Sequence, residues 1–279
     1  MERRQLFSQI AAEAASGEKA FPTHAEVALR VRRALDDPDC PLDTAAKLVQ
    51  AEPVLAARVV AIANSPVYNR SGREINDVRQ AVMRLGFATI RSLATALVVR
   101  QLAGGKNSTP QERALAGKLW AHTAQVAALA HVIARRVTHQ DAEAAMFAGI
   151  VHEVGGFYLL SQAHRFPGLL DGEFTGWVDE GEAEVGRAVL TILGVPESVM
   201  KAVEDLWEGY LAMPPATLGD TLLLAEEISP IVSPLYELAG EADVKHEASL
   251  DVMLDEEALS EILAESQAEV KSLTGALQF

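Results

Sequence analysis

A single cysteine, Cys40, stands in 279 residues, which leaves no partner for an internal disulfide and excludes a cysteine-built zinc site. Aromatic residues make up only 5% of the chain. A core must therefore be assembled from Ala, Val and Leu, small enough to let helices approach closely. Long apolar runs are missing as well: Leu93 to Val99 is too short to cross a bilayer, and Arg100 ends it. No apolar stretch follows the charges of Met1-Glu2-Arg3-Arg4-Gln5-Leu6-Phe7, so the expectation is no secretory signal, no membrane insertion and a cytoplasmic location. Alternating strand patterns are absent, and Gly104-Gly105-Lys106-Asn107 lacks both the spacing and the preceding strand of a phosphate-binding loop.

Positive charge is scarce in one half only. Residues 1–110 carry 15 Lys/Arg against 11 Asp/Glu, a balance of +4, whereas residues 111–279 carry 9 against 28, a balance of −19. A net charge of −15 repels phosphate, so nucleic acid is excluded as a partner. The arginines from Arg70 to Arg100 read as solvated helix faces rather than a phosphate cradle.

What is present is helical periodicity with the expected punctuation. Asp43 or Thr44 can open a helix, Pro53 suits the first turn of the next, and Asn64 can end it. Asn76 can cap a helix striped by Val78, Ala81, Val82 and Leu85 before Gly86 stops it, and Ile90, Leu93, Leu97 and Val98 repeat the spacing. Gly104 to Pro110 reads as an exposed linker. The expected fold is all-α, a two-lobed helical bundle with one lobe over residues 1–110 and the other over 111–279; Asp171 to Gly176 reads as a loop inside the second lobe. An acidic helix capped at Asp255 is expected to dock on that lobe.

Candidate chemistry centres on His152-Glu153-Val154-Gly155 and, 30 residues earlier, Trp120-Ala121-His122. A His followed by a carboxylate, with a second His upstream and another carboxylate downstream, can hold a divalent metal that activates water. Leu115, Leu119, Val126, Leu129 and Ile133 place His122 on a helix, and Asp141 can cap a helix that carries His152 in its last turn before Gly155-Gly156. The packed alternative is a pair of hydrogen-bonded core histidines. Cys40, in a turn beside Pro41, has no signature of a catalytic thiol, and His24, His131, His139, His164 and His246 have no partners by spacing.

Phe21-Pro22-Thr23-His24, Asn64-Ser65-Pro66-Val67-Tyr68, Ala81-Val82-Met83-Arg84-Leu85-Gly86, Trp120-Ala121-His122-Thr123 and Phe147 to Gly155, taken in order, resemble the HDOD domain. That family is an all-helical bacterial module related to the HD metal-dependent phosphohydrolases, and the resemblance extends over roughly residues 20–230. It implies an HD-like core in the second lobe and a non-enzymatic signalling or regulatory role exercised through protein contacts at the interlobe surface. It also implies metal-site positions at His122, His152, Glu153 and, by similarity, Glu226. The family keeps Asp at the Glu153 position and often carries a His within Glu182 to Gly186 and a His pair where this chain has Leu206-Trp207. These departures imply vestigial, unoccupied positions and no cofactor, with a single divalent metal left open. Two alternatives stand beside this: a metal-dependent phosphohydrolase acting on a nucleotide or cyclic nucleotide, and a sensor that binds a small anion or nucleotide in the vestigial cavity through His122 and His152. Arg84 and Arg91 are the candidate partner-binding residues, since their charge would act near the lobe junction.

Overall fold

In a computed structural model of the chain, the described residues are 3–16, 26–102, 108–170, 174, 176–210, 212 and 214–240, followed by 264, 267–268, 270–272 and 274–275. Among them every regular element is helical: α1 Arg3–Ala15, α2 Glu26–Leu35, α3 Leu42–Gln50, α4 Pro53–Ala63, α5 Val78–Leu102, α6 Pro110–Ile133, α7 Ala142–Val151, α8 Val154–Gln162, α9 Glu182–Leu193, α10 Glu197–Glu208, α11 Leu218–Glu227 and α12 Pro234–Ala239. The all-α expectation holds. Residues 21–25 and 104–107, and the segment around Asp255, lie outside the described residues.

Local chemistry explains the starts of these helices. Thr109 accepts from the Glu112 amide while Glu112 accepts from the Thr109 amide, a capping box with Pro110 in the first turn of α6. Thr217 and Asp220 form the same box at α11. Asp141 caps α7, its Oδ1 accepting from Glu143 N and Ala144 N. Two start positions differ from the sequence reading. Asp77, not Asn76, caps α5, its carboxylate accepting from Arg79 N and Gln80 N. Leu42, behind Pro41, opens α3 ahead of Asp43.

Gly86 breaks α5 where expected, with φ of 78°. Asn64 ends α4 but stays right-handed; its amide instead clamps the following loop, donating to Ile75 O at 2.7 Å and accepting from Ile75 N at 2.8 Å. The glycine pair after His152 does not end a helix. It lies in the first turn of α8, because α7 already stops at Val151.

One continuous set of buried apolar side chains, mostly Ala, Val and Leu, joins elements from both halves of the sequence. α1 packs on α9 and on the π-helical turn Trp177–Gly181, with Phe7 edge-on to Phe174 and Trp177. α6 and α7 form the most extensive helix pair, and α5 packs on α7. Val78–Leu102 and Ala142–Arg165 are long and apolar enough to cross a bilayer, yet 67% and 83% of those windows are buried inside the fold, as core helices are.

Candidate metal centre

His122 comes from the middle of α6, His152 and Glu153 from the break between α7 and α8, and Glu226 from the last turn of α11. Close helix contacts bring these together. Gly149 faces the backbone of Ala127, and a methyl group there would sit 2.5 Å from Ala127 Cα, so only glycine lets α7 lie this close to α6. Gly155 packs in the same way on Gly186 of α9.

Three of the four predicted positions converge. His122 Nε2 lies 3.2 Å from His152 Nε2 and 3.3 Å from Glu226 Oε2, and His152 Nε2 lies 3.5 Å from the same oxygen. Glu153 borders them, its Oε1 3.9 Å from His122 Nε2. The extra methylene of Glu226 does not displace its oxygen from the cluster. Exposure is 0% for His122, 2% for His152, 1% for Glu153 and 8% for Glu226.

Backbone carbonyls orient both imidazoles. His122 Nδ1 donates to Ile231 O at 2.6 Å, and His152 Nδ1 donates to Gly149 O at 2.7 Å. A carbonyl only accepts, so each Nδ1 carries a proton and each Nε2 turns toward its counterpart. Two bare lone pairs at that separation repel, so a proton or a cation must lie between them. Burial alone would push His122 down, but Glu226 and then Glu153 carry it up to about 9. His152 is held below its ordinary value, chiefly by burial. One proton, resident on His122, thus relieves the repulsion between the two facing imidazoles.

The donors also fit a metal. Four ligands at ~2.0–2.1 Å around a tetrahedral zinc stand about 3.3–3.4 Å apart, and the three observed separations bracket that edge. Both oxygens of Glu153 are buried without a hydrogen-bond partner among the described residues, a deficit that a cation would relieve. Protonated Nδ1 groups held on carbonyls are the usual support of metal-ligating histidines.

Two further residues escaped the sequence reading. Tyr236 donates to both oxygens of Glu182, at 3.1 and 2.9 Å, and both side chains are buried. Burial pushes the Tyr236 hydroxyl well above its ordinary value, helped by Glu182, then by the charges of Glu153 and Glu226. Only the position of Glu182, in the stretch where the resemblance implies His, pointed to this pair. Trp207 packs against Gly186 with Arg187 over its ring at 5.5 Å, a packing role where a His pair was implied. His131 is buried and donates from Nδ1 to Ala142 O, so it does have a partner.

Neither arginine reaches the centre. Arg84 donates to Ala63 O and Arg73 O, both at 2.9 Å, and so ties the end of α4 to the loop after it. Arg91 donates to Leu35 O at 3.3 Å and stands 3.6 Å from Asp36.

The HDOD domain model matches residues 21–169. No curated protein matches the chain. Among solved structures, a candidate metal-dependent phosphohydrolase from Shewanella amazonensis SB2B superposes with a TM-score of 0.73 at 23% identity, covering 99% of each chain. An HDOD domain protein of unknown function from Geobacter sulfurreducens superposes with a TM-score of 0.61 at 23% identity, covering 98% of this chain and 97% of that one. A second candidate phosphohydrolase from Shewanella amazonensis SB2B gives 0.63 at 19% identity, over 96% and 98%. At these identities the likeness is one of fold.

Proposed function

The chain belongs to the HDOD family, and from that premise we propose that it is a non-enzymatic bacterial signalling or regulatory module of the cytoplasm that acts through protein contacts. The observation that carries this reading is the closure of the centre. None of His122, His152, Glu153 and Glu226 is more than 8% exposed, whereas hydrolysis needs an open position on the metal and a path for a phosphoester to reach it. In this reading residues 1–110 and 111–279 work as two lobes that share one core, α1 of the first docked on α9 of the second, with the HD-like core in the second and partners seated on the exposed surface along the junction. Arg91 is the better contact candidate of the two arginines, because Arg84 makes two 2.9 Å bonds to backbone carbonyls whereas Arg91 makes one longer bond, at 3.3 Å, and a 3.6 Å ion pair.

A divalent cation at the centre would be held by His122, His152 and Glu226 with Glu153 beside it, and would supply charge neutralisation and, given an open position, acidification of a bound water. The chain's own residues do the rest. Ile231 O and Gly149 O fix the ring tautomers, while the glycine contacts hold α7 close on α6 and α8 close on α9. The buried group thereby acts as a staple for the HD-like core.

The donor spacing favours one alternative, a metal-dependent phosphohydrolase acting on a nucleotide or cyclic nucleotide. The two readings separate in an assay of cyclic dinucleotides and nucleoside phosphates with added Mn²⁺ or Zn²⁺. We expect no turnover above that of His152→Ala, together with capture of a signalling protein from native extract. Turnover that His152→Ala abolishes would establish the enzyme instead.

A further inference from the structure

A second polar site lies away from the histidine centre, in a cleft of about 210 Å³ bounded by α2, α5, α7 and the start of α10. Its two ends differ in charge. At one end stands Arg32, only 7% exposed, whose guanidinium makes a single hydrogen bond among the described residues, from Nη2 to Gly194 O at 2.8 Å. Arg91 lines the same wall, and one carboxylate, Asp36, serves both cations. The remaining donors of Arg32 are not sealed in the core and have no protein acceptor among the described residues, so they are available to an anion entering the cleft. Burial pushes the Arg32 guanidinium below its ordinary value.

The other end is acidic. Glu143 accepts from two neutral donors, Tyr68 Oη at 2.6 Å and Thr89 Oγ1 at 2.8 Å. Asp141 next to it uses one oxygen to cap α7. Phe147 and Val199, both buried, supply apolar lining.

We propose that this cleft binds a free amino acid, with its carboxylate on Arg32 and Arg91, its ammonium on Asp141 and Glu143, and its side chain against the apolar lining. The charge pattern selects this class. A phosphate dianion would meet the arginines but also face the three carboxylates Asp36, Asp141 and Glu143, and a simple cation would be repelled by Arg32 and Arg91; a zwitterion matches both signs of charge. The volume agrees, falling below the ~300–1,000 Å³ that takes drug-sized ligands. Because the cleft joins α2 and α5 to α7 and α10, an occupant would bridge the two halves of the chain, which makes it a means of coupling a small metabolite to the module. Binding here does not depend on what the histidine centre does.

Calorimetric titration of the full chain with each of the twenty standard amino acids, and separately with inorganic phosphate, tests the assignment. At least one amino acid should bind with Kd at or below about 1 mM. Its N-acetyl form, which lacks the ammonium, and its methyl ester, which lacks the carboxylate, should each bind at least about tenfold more weakly. Arg91→Gln should weaken binding similarly. So should Ala88→Leu, which fills the cleft from an exposed position and should leave the melting temperature unchanged. Absence of binding by all twenty, binding by phosphate alone, or full retention in both variants would overturn the proposal.

Discussion

His122 and His152 turn their Nε2 atoms toward each other at 3.2 Å while each spends Nδ1 on a backbone carbonyl. That arrangement leaves one choice at the centre, a proton or a metal ion, and each has measurable consequences.

Stability of the metal-free chain should fall as the medium turns alkaline. The folded His122 pKa, at about 9, lies above its unfolded value of ~6.5, so its protonation stabilises the fold fully below pH ~6.5 and the gain is lost as pH rises through about 9. His152 has the opposite sign: its folded value is lowered, so stability is lost as pH falls below ~6.5. Urea unfolding with chelator present should therefore show a loss on the order of 3 kcal/mol between pH 6.5 and 9.5. His122→Gln should flatten that limb; an unchanged slope would place the proton elsewhere.

Zinc added to chelator-stripped protein should raise the melting temperature. At a hundredfold excess over Kd the gain is about 2.7 kcal/mol. Glu226→Ala should remove the shift, because the third donor within 3.5 Å is lost. Elemental analysis should find one equivalent in the wild type and less in the variant.

Gly149→Ala should destabilise the protein by roughly 1–3 kcal/mol, since its methyl group would be forced against the backbone of Ala127 rather than against a movable side chain. The same change spreads α6 from α7 and so separates His122 from His152. Zinc affinity should fall along with thermal stability. Retained affinity in a destabilised variant would mean that the helices yield elsewhere.

Asn64→Ala should cost about 1–3 kcal/mol, because Ile75 loses partners for both its amide and its carbonyl. Arg84→Glu should be destabilising for a related reason, the loss of donors to Ala63 O and Arg73 O. Denaturant midpoints measure both. A partner-binding defect in Arg84→Glu would therefore need the stability measurement beside it.

Sequence by itself determined the helices and most of their ends. Period, capping residues and helix breakers act over a few neighbouring positions, which is why Asp141, Pro53 and Gly86 could be placed correctly. Where several adjacent residues could cap, as at Asn76 and Asp77, local pattern could not choose between them. Spacing and residue type singled out His122, His152 and Glu153, and the resemblance to the HDOD family added Glu226. Only tertiary structure decided that three of them meet within 3.5 Å while Glu153 stands off, that the cluster is closed from solvent, and that two backbone carbonyls orient its imidazoles. Likewise it placed α1 on α9 and Arg32 beside Gly194, 162 positions along the chain. These outcomes depend on how close helix backbones come, set by glycines such as Gly149 and Gly155, and contact between distant segments leaves no periodic trace in a single sequence.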